Sequence, residues 1–206
     1  MTSAKAFLDR RPVSRETLQR LCDYEALLAR WNPAINLVSP STLGDVWSRH
    51  FLDSAQVFDL AGTGTHWADL GSGGGFPGMV AAIIAAEERP GQRFTLVESD
   101  RRKAAFLDRV AQATGVSVTV LDQRIEALPP LGADILTARA VAPLAALLGH
   151  AVRHLAPEGR ALFPKGARSQ AEIDEALESW RFSHEKVASW TAREAAIVIV
   201  GGIARV

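Results

Sequence analysis

Four glycines, Gly71, Gly73, Gly74 and Gly75, follow Asp69 in the stretch from His66 to Gly78, His-Trp-Ala-Asp-Leu-Gly-Ser-Gly-Gly-Gly-Phe-Pro-Gly. A turn without β-carbons takes positive φ readily and lets a ligand approach the backbone closely. The residues before it suit a strand, and the apolar run Met79 to Ala86 after it suits a helix. Pro77 fits the first turn of that helix, where its missing N–H costs nothing and the free N–H groups around it point back at the turn. Strand, glycine turn and helix N-terminus together make a nucleotide site.

Two ligand classes compete for it. Gly73-Gly74-Gly75-Phe76-Pro77-Gly78 fits the dinucleotide pattern G-x-G-x-x-G, and Glu98 lies at the distance expected of a ribose ligand. Asp69 tips the balance, because a pyrophosphate would meet a repelling carboxylate there. S-adenosylmethionine has no phosphate and carries an ammonium and a sulfonium, so an acid at the loop mouth attracts it. The segment Asp69 to Gly75 resembles the first motif of class I methyltransferases. Gly71, Gly73 and Gly75 then admit the methionine part, Asp69 faces its ammonium, and Glu98 accepts from both ribose hydroxyls. Phe76 packs against the ligand or fills the core below it.

The elements that must hold these residues alternate. Helical spacing of Leu18, Leu21, Cys22, Leu28 and Trp31 predicts a helix over Arg15 to Trp31, capped by Ser14 and stopped by Asn32-Pro33. A second helix is expected from Thr42, with Asp45 completing a capping box, through Trp47, Phe51 and Phe58. His50 shares its apolar face and reads as a hydrogen-bonded packing histidine. After the strand that feeds the glycine turn, further strands follow at Arg93 to Glu98, Val116 to Leu121, Ala133 to Ala138 and Gly159 to Pro164, with helices over Asp100 to Thr114, after Pro143, and over Ser169 to Ser179. The spacing predicts a doubly wound, mostly parallel α/β sheet. Two closely spaced strands near Arg181 to Trp190 and Ala195 to Ile203 suggest a C-terminal antiparallel hairpin. Residues 1–62 read as a helical extension and residues 63–206 as the Rossmann-like domain, the two forming one compact unit.

At 206 residues, 48% apolar and 22% charged, the chain has the composition of an ordinary soluble domain. Its polar start suggests no signal peptide, no apolar run reaches membrane-spanning length, and the single Cys22 excludes an internal disulfide, so a cytoplasmic setting without a metal site is expected. Net charge is zero, yet Lys5, Arg10, Arg11, Arg15 and Arg20 face only Asp9 and Glu16 within residues 1–20. Arg139, Arg153, Arg160, Lys165 and Arg168 face only Glu158 within residues 139–168. Both segments are candidates for contact with a phosphate backbone, with solvated charged faces as the alternative.

Trp31-Asn32 with Asn36-Leu37, Arg49-His50-Phe51-Leu52-Asp53-Ser54, the Asp69 to Gly78 stretch, Glu98-Ser99, Arg124-Ile125-Glu126, Arg139-Ala140-Val141-Ala142 and Lys165-Gly166 resemble the RsmG (GidB) family across nearly the whole chain. The resemblance implies a class I fold with a seven-stranded sheet. It also implies S-adenosylmethionine as cofactor and N7 of a guanosine in the decoding-region loop of bacterial 16S ribosomal RNA as acceptor. It places the adenine at Ile125 and Glu126, gives Arg139 to the cofactor, and makes Arg139 and Lys165 positioning groups at the reacting centre. The partner it implies is small-subunit ribosomal RNA or the 30S particle, with the protein a monomer and no membrane involved.

The residues narrow the acceptor independently. Exocyclic-amine methylation would call for an Asn/Asp-Pro-Pro-aromatic run where this chain has Ala138-Arg139-Ala140-Val141, and carbon-5 methylation would call for a cysteine nucleophile, whereas Cys22 lies in the first predicted helix. Guanine N7 has a free lone pair, so its methylation requires alignment and exclusion of water but no base. A small-molecule methyltransferase and an NAD-binding module remain as alternatives.

Overall fold

The computed structural model describes residues 2–206. Helices α1 (Thr2–Arg10), α2 (Arg15–Ile35), α3 (Pro40–Leu43) and α4 (Leu52–Leu60) precede the first strand. The Ser14 hydroxyl accepts the Thr17 amide as the N-cap of α2. That helix runs on past Asn32-Pro33, where a stop was expected. Proline removes one ladder bond in the last turn, and termination comes instead from Asn36, left-handed at φ 50°, whose amide reaches the Asn32 carbonyl. The Asn32 side chain accepts the Val38 amide at 2.8 Å and folds the chain back.

The expected single helix from Thr42 is also broken. The Thr42 hydroxyl is taken up by the Ser39 carbonyl and His50 rather than by a capping box, and Trp47–Phe51 is a π-helical segment leading into α4. Such a wide turn inserts a residue and shifts the face on which the following side chains emerge.

Strands β1 (His66–Leu70), β2 (Arg93–Val97), β3 (Thr119–Leu121), β4 (Ala133–Thr137), β5 (Leu155–Lys165), β6 (Trp180–Ala188) and β7 (Ala196–Arg205) form one sheet in the order β3-β2-β1-β4-β5-β7-β6. The first five run parallel, and β7 inserts antiparallel between β5 and β6, which is the expected hairpin. β3 is shorter than predicted and β5 longer. The order reverses between β1 and β4, where Asp69 pairs with Thr137. A crevice opens at such a point beyond the carboxyl ends of the strands.

Helix α5 (Gly78–Glu88) and α6 (Arg101–Thr114) share one apolar cluster with the N-terminal helices, in which Phe7, Leu21, Tyr24, Phe51 and Phe58 join Met79 and Phe106. Helices α7 (Leu144–His154) and α8 (Ser169–Leu177) cover the other face through Leu144, Leu148 and Ile173. No helix among the described residues is long and apolar enough to cross a membrane.

Much of the basic excess in the sequence is used internally. Arg11 is buried and forks onto Glu88, with nitrogen–oxygen distances of 2.6 and 2.8 Å, while also reaching Asp59 at 3.0 Å. Arg153 donates to the Leu128 carbonyl, Lys165 pairs with Glu172 and Arg168 with Glu175. Arg11 is therefore a brace between α1, α4 and α5 rather than a phosphate contact. Arg11→Ala is expected to lower the unfolding free energy by about 2 kcal/mol, the scale for removing a hydrogen-bonded charge from its partners, as read by urea denaturation. If the exposed charges of residues 1–20 meet a phosphate backbone, Arg15→Ala should weaken that contact and flatten its salt dependence, whereas Arg11→Ala should leave both unchanged.

Candidate active site at the carboxyl edge of the sheet

The glycine turn is left-handed at Gly71 (φ 66°), Gly73 (56°) and Gly75 (95°). A β-carbon on Gly75 would strike the Tyr24 hydroxyl and lie 2.9 Å from Met79 Cβ, and one on Gly71 would lie 2.6 Å from Val141 Cγ2. The Tyr24 hydroxyl donates to the Gly74 carbonyl, tying helix α2 to the turn.

Asp69, expected at the loop mouth facing an ammonium, lies instead beneath the turn with no exposure. Its Oδ1 accepts the Thr137 hydroxyl at 2.7 Å, and its Oδ2 accepts the Gly78 amide at 3.2 Å. Strand β1 is covered on both faces, so its last inward side chain points under helix α5. Burial raises the carboxyl to about 6, against the pull of Thr137, Ser72, the Gly78 amide and Arg139. Asp69 braces the turn.

Glu98, just past β2, accepts the Gly73 amide at Oε2 and the Asp100 amide at Oε1, each at 2.8 Å. It joins Gly71, Ser99, Arg124, Ile125 and Glu126 around a cavity of about 270 Å³, with Ile125 and Glu126 on a single turn of 3-10 helix. A β-carbon on Gly73 would approach no atom closer than the Gly71 carbonyl at 3.9 Å, so that position opens on free space. A backbone cradle, a buried acceptor and an apolar wall suit an adenosine ligand, while the buried acids Glu98 and Asp69 disfavour a phosphate. The structure thus brings together the predicted residues Gly71, Glu98, Ile125 and Glu126.

A second cavity, about 510 Å³, adjoins the first across Val141 and Ala142, and its walls include Arg49, His50, Asp53, Arg139, Lys165 and Thr191. Arg139 lies two residues past the end of β4, in a segment where Ala140 is left-handed at φ 57°. Its Nη1 stands 3.1 Å from His50 Nδ1 and 3.7 Å from Asp53 Oδ2, and its guanidinium lies 4.9 Å over the Phe76 ring. Guanidinium only donates, so His50 Nδ1 accepts and the ring proton sits on Nε2, facing the Thr42 hydroxyl at 3.0 Å. Burial, followed by the charges of Arg139 and Arg49, depresses His50 to about 3. The imidazole is neutral at physiological pH.

Phe76, expected among the cofactor contacts, is buried below the turn between Tyr24 and His50, with ring centroids at 5.6 and 4.9 Å, and lines neither cavity. It is the floor on which Arg139 and His50 rest. Lys165, expected as a positioning group for the reaction, donates to the Ala142 carbonyl at 2.9 Å and pairs with Glu172 at 2.8 Å. Glu172 also accepts the Leu144 amide, so this pair pins the segment between β4 and α7 to the end of β5 and to α8. His50 is a hydrogen-bonded packing histidine as expected, but it also faces the cavity. Asp53 and Glu172 were assigned no role in advance; the sequence signals for Asp53 are its place in the Arg49 to Ser54 run and its position three residues after His50.

Residues 17–198 match the family GidB, rRNA small subunit methyltransferase G. A ribosomal RNA small subunit methyltransferase G of Ruegeria sp. (strain TM1040) is 53% identical over 94% of this chain and 95% of its own. That of Rhodospirillum centenum is 52% identical over 93% and 87%. Among solved structures, a SAM-dependent methyltransferase from Aquifex aeolicus superposes with TM-score 0.60 at 14% identity, covering 85% of this chain and 96% of that one. A TehB-like SAM-dependent methyltransferase from Corynebacterium glutamicum gives 0.57 at 12%, covering 87% and 98%. These structural likenesses establish the class I methyltransferase fold.

Two outcomes follow from the buried turn. Tyr24→Phe should cost about 1–3 kcal/mol by leaving the buried Gly74 carbonyl without its donor, measurable by chemical denaturation. Because Asp69 holds its proton in the folded state up to about 6 and an unfolded aspartate loses it near 3.8, stability through this group falls as pH rises across that window. Asp69→Asn should remove that fall, seen as a wild-type-minus-variant unfolding free energy that declines between about pH 4 and about pH 6 and is level above it.

Proposed function

This chain belongs to the GidB family of rRNA small subunit methyltransferases, and we propose from that membership that it methylates N7 of a guanosine in 16S ribosomal RNA, in the decoding-region loop, with S-adenosylmethionine as donor. The observation that carries the chemical part is the pairing of Arg139 with a neutral, tautomer-fixed His50 on the wall of the larger cavity. On this reading Glu98 takes the ribose diol, Ile125 and Glu126 hold the adenine, and the glycine turn receives the methionine part; their grouping around one cavity supports it. Held there, S-adenosylmethionine supplies an electrophilic methyl group.

What remains for the protein is to place the acceptor and keep water out. Guanine N7 needs no proton removed. His50 is a poor base at a value near 3, and its Nδ1 lone pair is already directed at Arg139. Burial lowers Arg139 from its ordinary value, with Asp53, Tyr24 and Asp69 opposing, yet an arginine remains a cation under working conditions. It orients reactants as a fixed fork, while Lys165 and Glu172 hold the segment that carries it. The protein acts as a monomer, on small-subunit RNA either free or within the 30S particle.

Incubation with methyl-labelled cofactor and separated ribosomal RNAs should label only the small-subunit RNA, at a site that borohydride and aniline then cleave. Label in large-subunit RNA, or label resistant to that cleavage, would contradict the assignment. Single-turnover rates should be level between about pH 7 and 9, where an essential base would impose about a tenfold fall per unit below its pKa. Arg139→Lys should lower the rate by a similar factor at every pH, since charge survives and fork geometry is lost.

A further inference from the structure

Asp53 is a carboxylate without a strong partner. It lies on α4 behind Arg139, about nine-tenths buried, on the wall of the larger cavity. Its Oδ1 receives long hydrogen bonds from the Ser189 hydroxyl at 3.3 Å and the Thr191 hydroxyl at 3.4 Å, and its Oδ2 stands 3.7 Å from Arg139. Three other acids around these cavities are held more closely. Glu98 receives amides at 2.8 Å, Asp69 receives Thr137 at 2.7 Å, and Glu172 pairs with Lys165 at 2.8 Å. A buried carboxylate whose contacts are all at the long end of the range keeps capacity for stronger donors. Burial raises its pKa, with Arg139, Ser189 and Thr191 opposing.

We infer that Asp53 is the specificity-determining residue that reads the Watson–Crick edge of the target guanine, accepting from N1–H and the 2-amino group, with Arg139 beside it donating to O6. This rests on the proposed guanine-N7 activity and names how the same site selects its base. Around the guanine perimeter the 2-amino group, N1–H, O6 and N7 follow one another. A carboxylate and a guanidinium side by side match the first three and leave N7 without a protein partner, as its methylation requires. Adenine presents an acceptor at N1 and a donor at N6, so it would place a lone pair against Asp53 and a donor against Arg139. Cytosine and uracil have no N7. The cavity, about 510 Å³, lies in the range that admits a ligand of this size.

The test uses small-subunit RNA assembled with either guanosine or inosine at the methylated position. Inosine keeps N1–H, O6 and N7 and lacks only the 2-amino group. Wild-type kcat/KM should fall roughly 10- to 100-fold with inosine, the value of one hydrogen bond to a charged acceptor. In Asp53→Asn the two RNAs should react within about threefold of each other, because the amide cannot accept from both donors. The ratio is independent of how much of the variant is folded, and a change in Arg139 placement alone would alter both rates equally. Equal rates on both RNAs in the wild type, or the full guanosine preference retained in Asp53→Asn, would overturn the role of Asp53 while leaving the methyltransferase assignment intact. Failure of the wild type to methylate the guanosine RNA would overturn the underlying activity and this inference with it.

Discussion

At Gly71 and Gly75 the turn between β1 and α5 has no room for a side chain, and the arrangement of the site follows from that close fit. Helix α2 reaches the turn through the Tyr24 hydroxyl, Asp69 fills the space beneath it, and Val141 lies against Gly71 from the far side. A β-carbon at Gly71, Gly75 or Gly78 would displace one of these neighbours. The same fit holds the backbone amides in fixed positions, so that Gly73 can be clamped by Glu98 on the side where the smaller cavity opens. Binding surface and core packing are two sides of one stretch of backbone, and the N-terminal helices are required for both.

A second consequence is electrostatic. Arg139 and His50 lie on the cavity wall and Asp53 and Asp69 are buried close to them, so their charges are set by one another. His50 stays neutral because its own burial and, next, the guanidinium beside it disfavour a proton. Its neutrality lets it accept from Arg139 and donate toward Thr42, which fixes the ring and with it the guanidinium. Such a site is suited to holding and orienting two ligands, and Asp69, whose carboxyl is raised to about 6, is sealed beneath the turn and lines neither cavity. Preorganised donors in a dry site contribute most where charge changes during reaction, as it does when a sulfonium gives up its methyl group to a neutral base.

The sheet, most of its helices, the terminal hairpin and several residues around the smaller cavity were legible in the sequence because each depends on local signals. Apolar runs mark the strands, the glycine spacing marks the turn, and Glu98 follows at the end of the next strand. Features that depend on which distant residues meet were not legible. Nothing local distinguishes an Asp69 that faces the loop mouth from one sealed beneath it, and only the burial of β1 on both faces decides. Phe76 and Lys165 resemble ligand contacts in one dimension and become floor and brace in three, because Tyr24, His50 and Glu172 converge on them from other elements. The π-helical segment had no signature in the periodicity, yet it carries Arg49 and His50 into the cavity wall. Arg11 looked like a free surface charge because Glu88 and Asp59 are remote in the chain.

The central claim is that this protein positions its reactants and moves no proton in the methyl-transfer step. The solvent deuterium isotope effect on single-turnover methyl transfer, with cofactor and small-subunit RNA saturating, addresses it directly. A ratio of rates near unity in light and heavy water, for the wild type and for Arg139→Lys alike, is the predicted result. A clearly normal effect in the wild type, with a linear proton inventory pointing to one transferred proton, would contradict the account.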